Sequence, residues 1–427
     1  MNPQARELNR ILKLETPALF GMLSEKGRAI YFPKEGIVNQ SNGAKGKRIN
    51  ATIGIAVEDD GTPVRLRCIA DRIQIAPQDA FPYTSNYGKP ELRKAWQEEI
   101  RVKNPSLRRE ISLPVVTNAL THGLSMAGYL FADGGNRIFL PDLYWENYEL
   151  IFENAYGARL VPFNTFNNGG MDLAAFAKAL SGRKGKKIVL LSMPNNPTGY
   201  TPTESEAGAI AGLILKRAEK GDSIVVFLDD AYFGLVYEPG VYRESLFAKL
   251  ADLHENVLAV KIDGATKEEY AWGLRVGFVT YGCKGITPAA CKALEDKTAG
   301  AVRGSISNAS HLSQSLLLQA MASPTYAMEK KDKFALLQSR YETVKRVLTE
   351  NENRYADAFT PLPFNSGYFM CIRLKGGLQG EAVRRKLLDA YDTGVIALGP
   401  ILRFTFSSVS VKNIPEAFEN IYRACKE

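Results

Sequence analysis

The chain has 427 residues, enough for two or three domains, and its 45% hydrophobic and 23% charged content is that of a soluble globular protein. A net charge of +8 is spread along the sequence, and the densest basic runs, 43–48 and 182–187, lack interleaved aromatics, so they read as solvated loops rather than a nucleic-acid path. Five cysteines without C-x-x-C spacing, three histidines without ligand spacing, a polar start over 1–14 and no apolar run of membrane length set the expectation of a cytoplasmic protein with no metal, nucleic-acid or membrane partner.

Residues 1–48 open on a short helical pattern and continue as loop-like sequence rich in glycine, asparagine and lysine. The apolar segment 49–63 ends in a D-D-G turn, and Gly54 inside it marks either a strand bulge or a backbone that a ligand approaches closely. Residues 81–96 read as a loop leading into a helix, with Pro90 and Glu91 in the first turn. Tyr83 and Tyr87 in that loop either pack or donate to a phosphate. A strand over 113–116 and a helix over 120–130 meet at Thr117, Asn118 and Thr121. A helix start with free N–H groups suits an anion, and Thr121 either adds a hydroxyl or caps the helix. After a strand over 137–140, Trp145 reads as core or as a platform for a planar heterocycle.

A helix over 172–180 and a strand over 187–192 lead to M-P-N-N-P-T-G-Y, which places Asn196 at the carboxyl end of a buried strand, where open parallel sheets bind ligands. The next strand, 223–228, runs into D-D-A-Y-F. Asp229 at its mouth needs a partner, such as a heteroaromatic N–H⁺, and Tyr232 follows three residues later. The strand 257–262 precedes Lys267, with Arg275 eight positions on. Desolvation beside another cation would lower the lysine's pKa, as a Schiff-base lysine requires; the alternative is a solvated loop lysine. A strand over 276–281 is followed by a helical region, 286–348, broken around 300–308. Strands over 367–374 and 402–407, beside helices near 381–390 and 415–424, form a smaller α+β unit. Arg403, within L-R-F-T-F, reads as a carboxylate clamp or as half of an internal salt bridge.

Together I-N-x-x-I-G with its D-D-G turn, Y-x-x-x-x-G-x-P-E-L, W-x-N, N-P-T-G, D-x-A-Y, the lysine with arginine eight positions on and the late L-R-F resemble the class I pyridoxal-phosphate-dependent aminotransferases of fold type I. The resemblance is to the aspartate and aromatic enzymes and covers about 49–424. It implies an α/β fold: a large domain with a mostly parallel seven-stranded sheet, and a smaller α+β domain. The implied division is 1–65 as N-terminal arm and part of the small domain, 66–320 as the pyridoxal 5'-phosphate domain and 321–427 as the C-terminal small domain. A homodimer with shared active sites is implied as well. The implied reaction moves an amino group between an L-amino acid, acidic or aromatic, and a 2-oxo acid such as 2-oxoglutarate. A lyase or decarboxylase of the same fold is the alternative.

By the same resemblance Lys267 forms the Schiff base and moves the proton, Asp229 pairs with the ring nitrogen, Asn196 and Tyr232 bind the ring's phenolic oxygen, and Trp145 covers the ring. Arg275, Thr121 and the Leu120 amide hold the phosphate, with Tyr83 joining from a second subunit. Arg403 clamps the substrate α-carboxylate near Gly54. Arg303, in R-G-S-I-S-N, would reach a side-chain carboxylate from the partner subunit. The chain departs from the pattern at Gly264, where serine is common and Thr266 is a candidate replacement. It departs again at Leu120, a usual glycine, and at Tyr148, where the aspartate enzymes carry histidine. Tyr270 is also bulkier than common.

Overall fold

The computed structural model describes residues 1–34 and 36–427. Its centre is a seven-stranded sheet whose strands are β1 (Val115–Asn118), β2 (Arg137–Pro141), β3 (Arg159–Phe163), β4 (Lys186–Ser192), β5 (Ser223–Asp229), β6 (Val257–Gly264) and β7 (Val276–Gly282). The spatial order is β1-β7-β6-β5-β4-β2-β3. Only β7 runs antiparallel to its neighbours, β1 and β6. The apolar runs are continuous because both faces are covered. In β5, Ile224, Val226 and Leu228 enter one core, and Val225 and Phe227 enter the other.

A second sheet consists of β8 (Phe359–Pro361), β9 (Phe369–Leu374), β10 (Ile396–Leu398) and β11 (Ile401–Thr405), in the order β8-β9-β11-β10 and wholly antiparallel. Its core takes Val344 from the long helix Tyr326–Glu350, Phe418 from Ile414–Lys426, and Ile49, Ala51 and Val64 from the N-terminal part. The two-residue strand Ile49–Asn50 pairs in parallel with Thr393–Gly394, which ties the start of the chain to its end. No helix among the described residues is long and apolar enough to cross a membrane.

Two local expectations need correction and a third is narrowed. Beyond the expected opening helix, Pro3–Glu15, the stretch read as loop holds three more, Pro17–Met22, Glu25–Ala29 and Ile37–Gly43. Side chains cap two of them, Asn2 accepting from the Gln4 N–H at 2.9 Å and Ser24 from the Gly27 N–H at 3.0 Å. Gly54 lies in an exposed bend and not in a bulged strand. The break expected around 300–308 falls at the end of that range: helix Pro288–Ile306 runs through Gly300 and Gly304, and the chain turns at Ser307 with φ +65°. Each glycine costs about 1 kcal/mol inside a helix, but Ala299, Ala301 and Val302 are buried there, and that packing outweighs the local preference.

Candidate active site

The sheet register brings the functional segments together. Ser192, Asp229 and Ile262 are paired across β4, β5 and β6, while Gly264 lies opposite Gly277 and Asn118 opposite Val276. The carboxyl ends of β1, β4, β5 and β6 and the start of β7 therefore share one edge. A cavity of about 280 Å³ opens there. It brings together Gly54, Leu120, Thr121, Trp145 and Asn196 with Asp229, Tyr232, Thr266, Lys267, Arg275 and Arg403. Thr121 lies within the first turn of helix Ala119–Phe131, whose cap position is Asn118, so the capping alternative for Thr121 falls away.

Two departures in sequence have one physical cause. A Cβ on Gly264 would lie 2.5 Å from the Val276 carbonyl oxygen and 3.2 Å from the Leu120 side chain. Strands β6 and β7 approach too closely there for a serine, and the Leu120 side chain lies alongside. On the neighbouring strand, a Cβ at Gly277 would lie 2.5 Å from the Ala119 backbone carbon, so this glycine lets the helix start approach the sheet. Two residues on, Thr266 is buried and its Oγ1 has no hydrogen-bond partner among the described residues.

Lys267 is half-buried, and desolvation lowers its pKa to about 8, helped by Arg275 and Arg403 and opposed by Asp229. Its Nζ sits 5.2 Å from the centre of the Tyr232 ring, and its carbonyl accepts a hydrogen bond from the Tyr368 hydroxyl at 2.7 Å. The solvated-loop alternative is thereby excluded. Burial raises the Asp229 carboxyl to about 6 even though the Tyr148 hydroxyl donates to its Oδ2 at 2.5 Å and the Ala231 N–H to its Oδ1 at 3.3 Å. Two neutral donors do not replace a counter-ion.

Arg403 is fully buried and donates through Nη1 to Asn196 Oδ1 at 3.3 Å and through Nη2 to the Thr52 carbonyl at 3.4 Å. Its Nε has no partner, its guanidinium stacks 4.3 Å from the Phe369 ring centre, and among the described residues no carboxylate forms an ion pair with it. The internal salt bridge is thus absent. Arg275 is exposed, has φ +55°, and spends one donor on the Trp272 carbonyl at 3.3 Å. Trp145 lies edge-on to Tyr148, with ring centres 5.6 Å apart.

Tyr83 and Arg303 are not brought into this cavity. Tyr83 is 90% exposed, and Arg303 projects from helix Pro288–Ile306, reaching Asn86 Oδ1 at 3.5 Å. The cavity also gathers Ile37, Ser192, Ala231 and Phe369, which sequence reasoning missed. Ser192 was accessible as the residue at the end of β4 beside Asp229. Ile37 gave no signal, since its position depends on its N–H donating to Glu146 Oε1 at 2.9 Å, across 109 residues.

The aminotransferase class I and II family matches residues 50–421. The chain belongs to that family. Class I and II aminotransferases are pyridoxal-phosphate-dependent enzymes. The chain is 29% identical over 234 residues to the probable N-acetyl-LL-diaminopimelate aminotransferase of Bacillus subtilis (strain 168), covering 54% of each. It is 25% identical over 249 residues to an aspartate aminotransferase of Sulfurisphaera tokodaii, covering 57% of each. These matches span about half the length of the curated relatives. An aminotransferase from Anaerococcus prevotii superposes with a TM-score of 0.82 at 22% identity, over 95% of this chain and 100% of that one. Aspartate aminotransferase from Thermus thermophilus with maleate gives 0.74 at 20%, over 94% and 99%. The architecture is therefore that of the fold type I aminotransferases.

The residues present fit the family's cofactor. A buried carboxylate without a cation, an orphaned threonine hydroxyl, an arginine held open beside a helix start and a lysine of depressed pKa all face one cavity. These are the groups that a pyridinium, a phosphate and an aldehyde would complement.

Proposed function

We propose that this aminotransferase-family chain moves the amino group of an L-amino acid to a 2-oxo acid, using pyridoxal 5'-phosphate held in the cavity at the edge of the central sheet. The observation that carries the reading is Lys267, half-buried and with its pKa lowered to about 8, in one cavity with Asp229 and Arg403. When bound, the cofactor supplies an electrophilic carbon for the substrate amine and an electron sink for the pair left at the α-carbon.

With the cofactor bound, neutral Lys267 would accept and move the proton of the substrate α-carbon. Asp229 would hold the ring nitrogen protonated, and Tyr148 holds that carboxylate in place. Asn196 and Tyr232 would hold the ring's phenolic oxygen, and Trp145 would lie against the ring. Arg275, Thr121, Thr266 and the Leu120 N–H would hold the phosphate. Arg403 clamps the substrate carboxylate with two parallel hydrogen bonds beside the open backbone of Gly54. A second copy of the chain supplies Tyr83 to the phosphate and Arg303 to an acidic substrate side chain, and both residues lie exposed outside the cavity of their own protomer.

The test is product analysis with L-aspartate, L-glutamate or L-phenylalanine as donor and 2-oxoglutarate or oxaloacetate as acceptor. Formation of a new amino acid in step with the donor's 2-oxo acid supports transamination. Release of ammonia or carbon dioxide without a new amino acid assigns the chain to the lyase or decarboxylase reaction instead. Arg303→Ala should lower turnover of the acidic donors and leave phenylalanine unaffected; equal turnover of all three would remove Arg303 from the site.

A further inference from the structure

Directly after Lys267 come two glutamates, and the reaction described above uses neither. Both side chains turn away from the cavity into a buried network of charges. Glu268 contacts Lys103, the last residue of helix Pro90–Lys103, through Oε2, and lies 3.3 Å from Lys330 through Oε1. Glu269 is fully buried, with Oε1 3.0 Å from Lys330 and accepting from the Tyr326 hydroxyl at 3.1 Å. Lys330 also lies 3.5 Å from Glu99. Helix Tyr326–Glu350, which carries Tyr326 and Lys330, packs in the core of the second sheet. The Lys267 carbonyl is held from that side too, by Tyr368 next to β9.

The segment bearing Lys267 is thus fastened on one side to a helix of the central unit and on the other to the long helix of the second unit, with Lys330 shared between two consecutive carboxylates. Burial pushes Glu268 up, yet Lys103 and Lys330 hold it at about 2. Burial and the charge of Glu268 leave Glu269 above the usual carboxylate range. An arrangement this expensive to desolvate is poor stabilisation, since apolar residues of similar size serve a core as well or better. Its geometric yield is a loop with little freedom, immediately after the residue whose side chain must meet the cofactor.

We propose that Glu268 and Glu269, joined through Lys330, are positioning residues that fix the Lys267 side chain at the cavity and make its placement depend on how the second unit is seated. The proposal rests on Lys267 being the cofactor lysine. Lys267 reaches the ligand from a strand end, so a small rotation of the backbone at 268–269 moves Nζ by a comparable arc. Misplacement of about 1 Å is enough to slow a reaction about 100-fold.

The test is the second-order rate at which the cofactor-free full chain captures pyridoxal 5'-phosphate, followed by visible absorbance from pH 6 to 10, with unfolding temperature measured alongside. Lys330→Met should slow capture about 10- to 100-fold and shift the pH midpoint of capture, with Lys330→Arg restoring most of the rate. Tyr326→Phe removes one hydrogen bond, keeps all five charges and should slow capture by about 3-fold, a change of order 0.7 kcal/mol. It therefore remains informative if Lys330→Met does not fold. Arg340→Met, which removes a different buried cation in the second unit, one paired with an exposed Asp59, should lower the unfolding temperature without moving the midpoint. If Lys330→Met or Tyr326→Phe lowers the unfolding temperature but captures the cofactor at the wild-type rate and midpoint, the network is structural only and the proposal is wrong. Failure of the wild-type chain to capture the cofactor would remove the reading of the cavity and this proposal with it.

Discussion

Asp229 and Asp230 are neighbours in sequence, both buried, and built for opposite ends. Asp230 is satisfied within the protein: Lys261 contacts its Oδ2, the Ser245 hydroxyl donates to the same oxygen at 2.6 Å, and Lys261 is shared with Asp263 at 3.3 Å. Asp229 faces the cavity, and among the described residues only a phenol and a backbone N–H hydrogen-bond to it, with the charge of Lys267 acting on it without an ion pair. One carboxylate has a resident cation in contact, and the other leaves room for a cation that arrives with a ligand. The difference shows that burial of charge alone does not mark a site; what marks it is a buried charge with no ion-pair contact.

That contrast can be broken by mutation. Lys267→Ala should give the largest effect, a loss of turnover beyond about 10⁴-fold with the fold retained, measured by steady-state assay and circular dichroism. Asp229→Asn should lower kcat on the order of 10²- to 10³-fold while leaving the unfolding temperature of the cofactor-free protein unchanged or raised, because a buried carboxylate without a cation is replaced by a neutral amide. Asp230→Asn should do the reverse, costing about 3 kcal/mol of stability in denaturant titration because Lys261 loses half of its counter-charge. Equal stability losses at 229 and 230 would erase the distinction.

The pH dependence sharpens it. Asp229 titrates at about 6 in the folded chain against 3.8 for the free group, so its contribution to stability is full below pH 3.8 and is lost as pH rises through about 6. Lys267 titrates at about 8 against 10.5, so its contribution is present above pH 10.5 and is lost as pH falls through about 8. Differential scanning of the cofactor-free protein should show the decline between pH 4 and 6 flatten in Asp229→Asn, and the rise between pH 8 and 10.5 flatten in Lys267→Ala. The smallest effect is Tyr148→Phe, which removes about 1 to 2 kcal/mol of hydrogen bonding to the carboxylate and should move its titration upward by about one pH unit.

The strand ends were legible in sequence because buried parallel strands are short apolar runs that stop at polar residues, and Asn196, Asp229 and Lys267 each stand just beyond such a run. The resemblance then supplied their roles, which spacing alone does not. What escaped depends on contacts across long separations. Ile37 reaches the cavity only through Glu146, and the ion network behind Lys267 joins residues 103, 268, 269 and 330. The substitutions at Leu120 and Gly264 looked like independent departures, but a Cβ added at Gly264 would come within 3.2 Å of the Leu120 side chain, which makes them one packing solution. The helix through Gly300 and Gly304 was missed because a local glycine signal gives no information about the buried face that holds it.

The most direct measurement of the central claim is borohydride reduction of the purified chain in the presence of pyridoxal 5'-phosphate, followed by peptide mass spectrometry. The account predicts a phosphopyridoxyl group on the peptide containing Lys267, at one per chain, lost when an amino acid donor is added before reduction. A label spread over surface lysines, or placed on a single lysine other than Lys267, would contradict it.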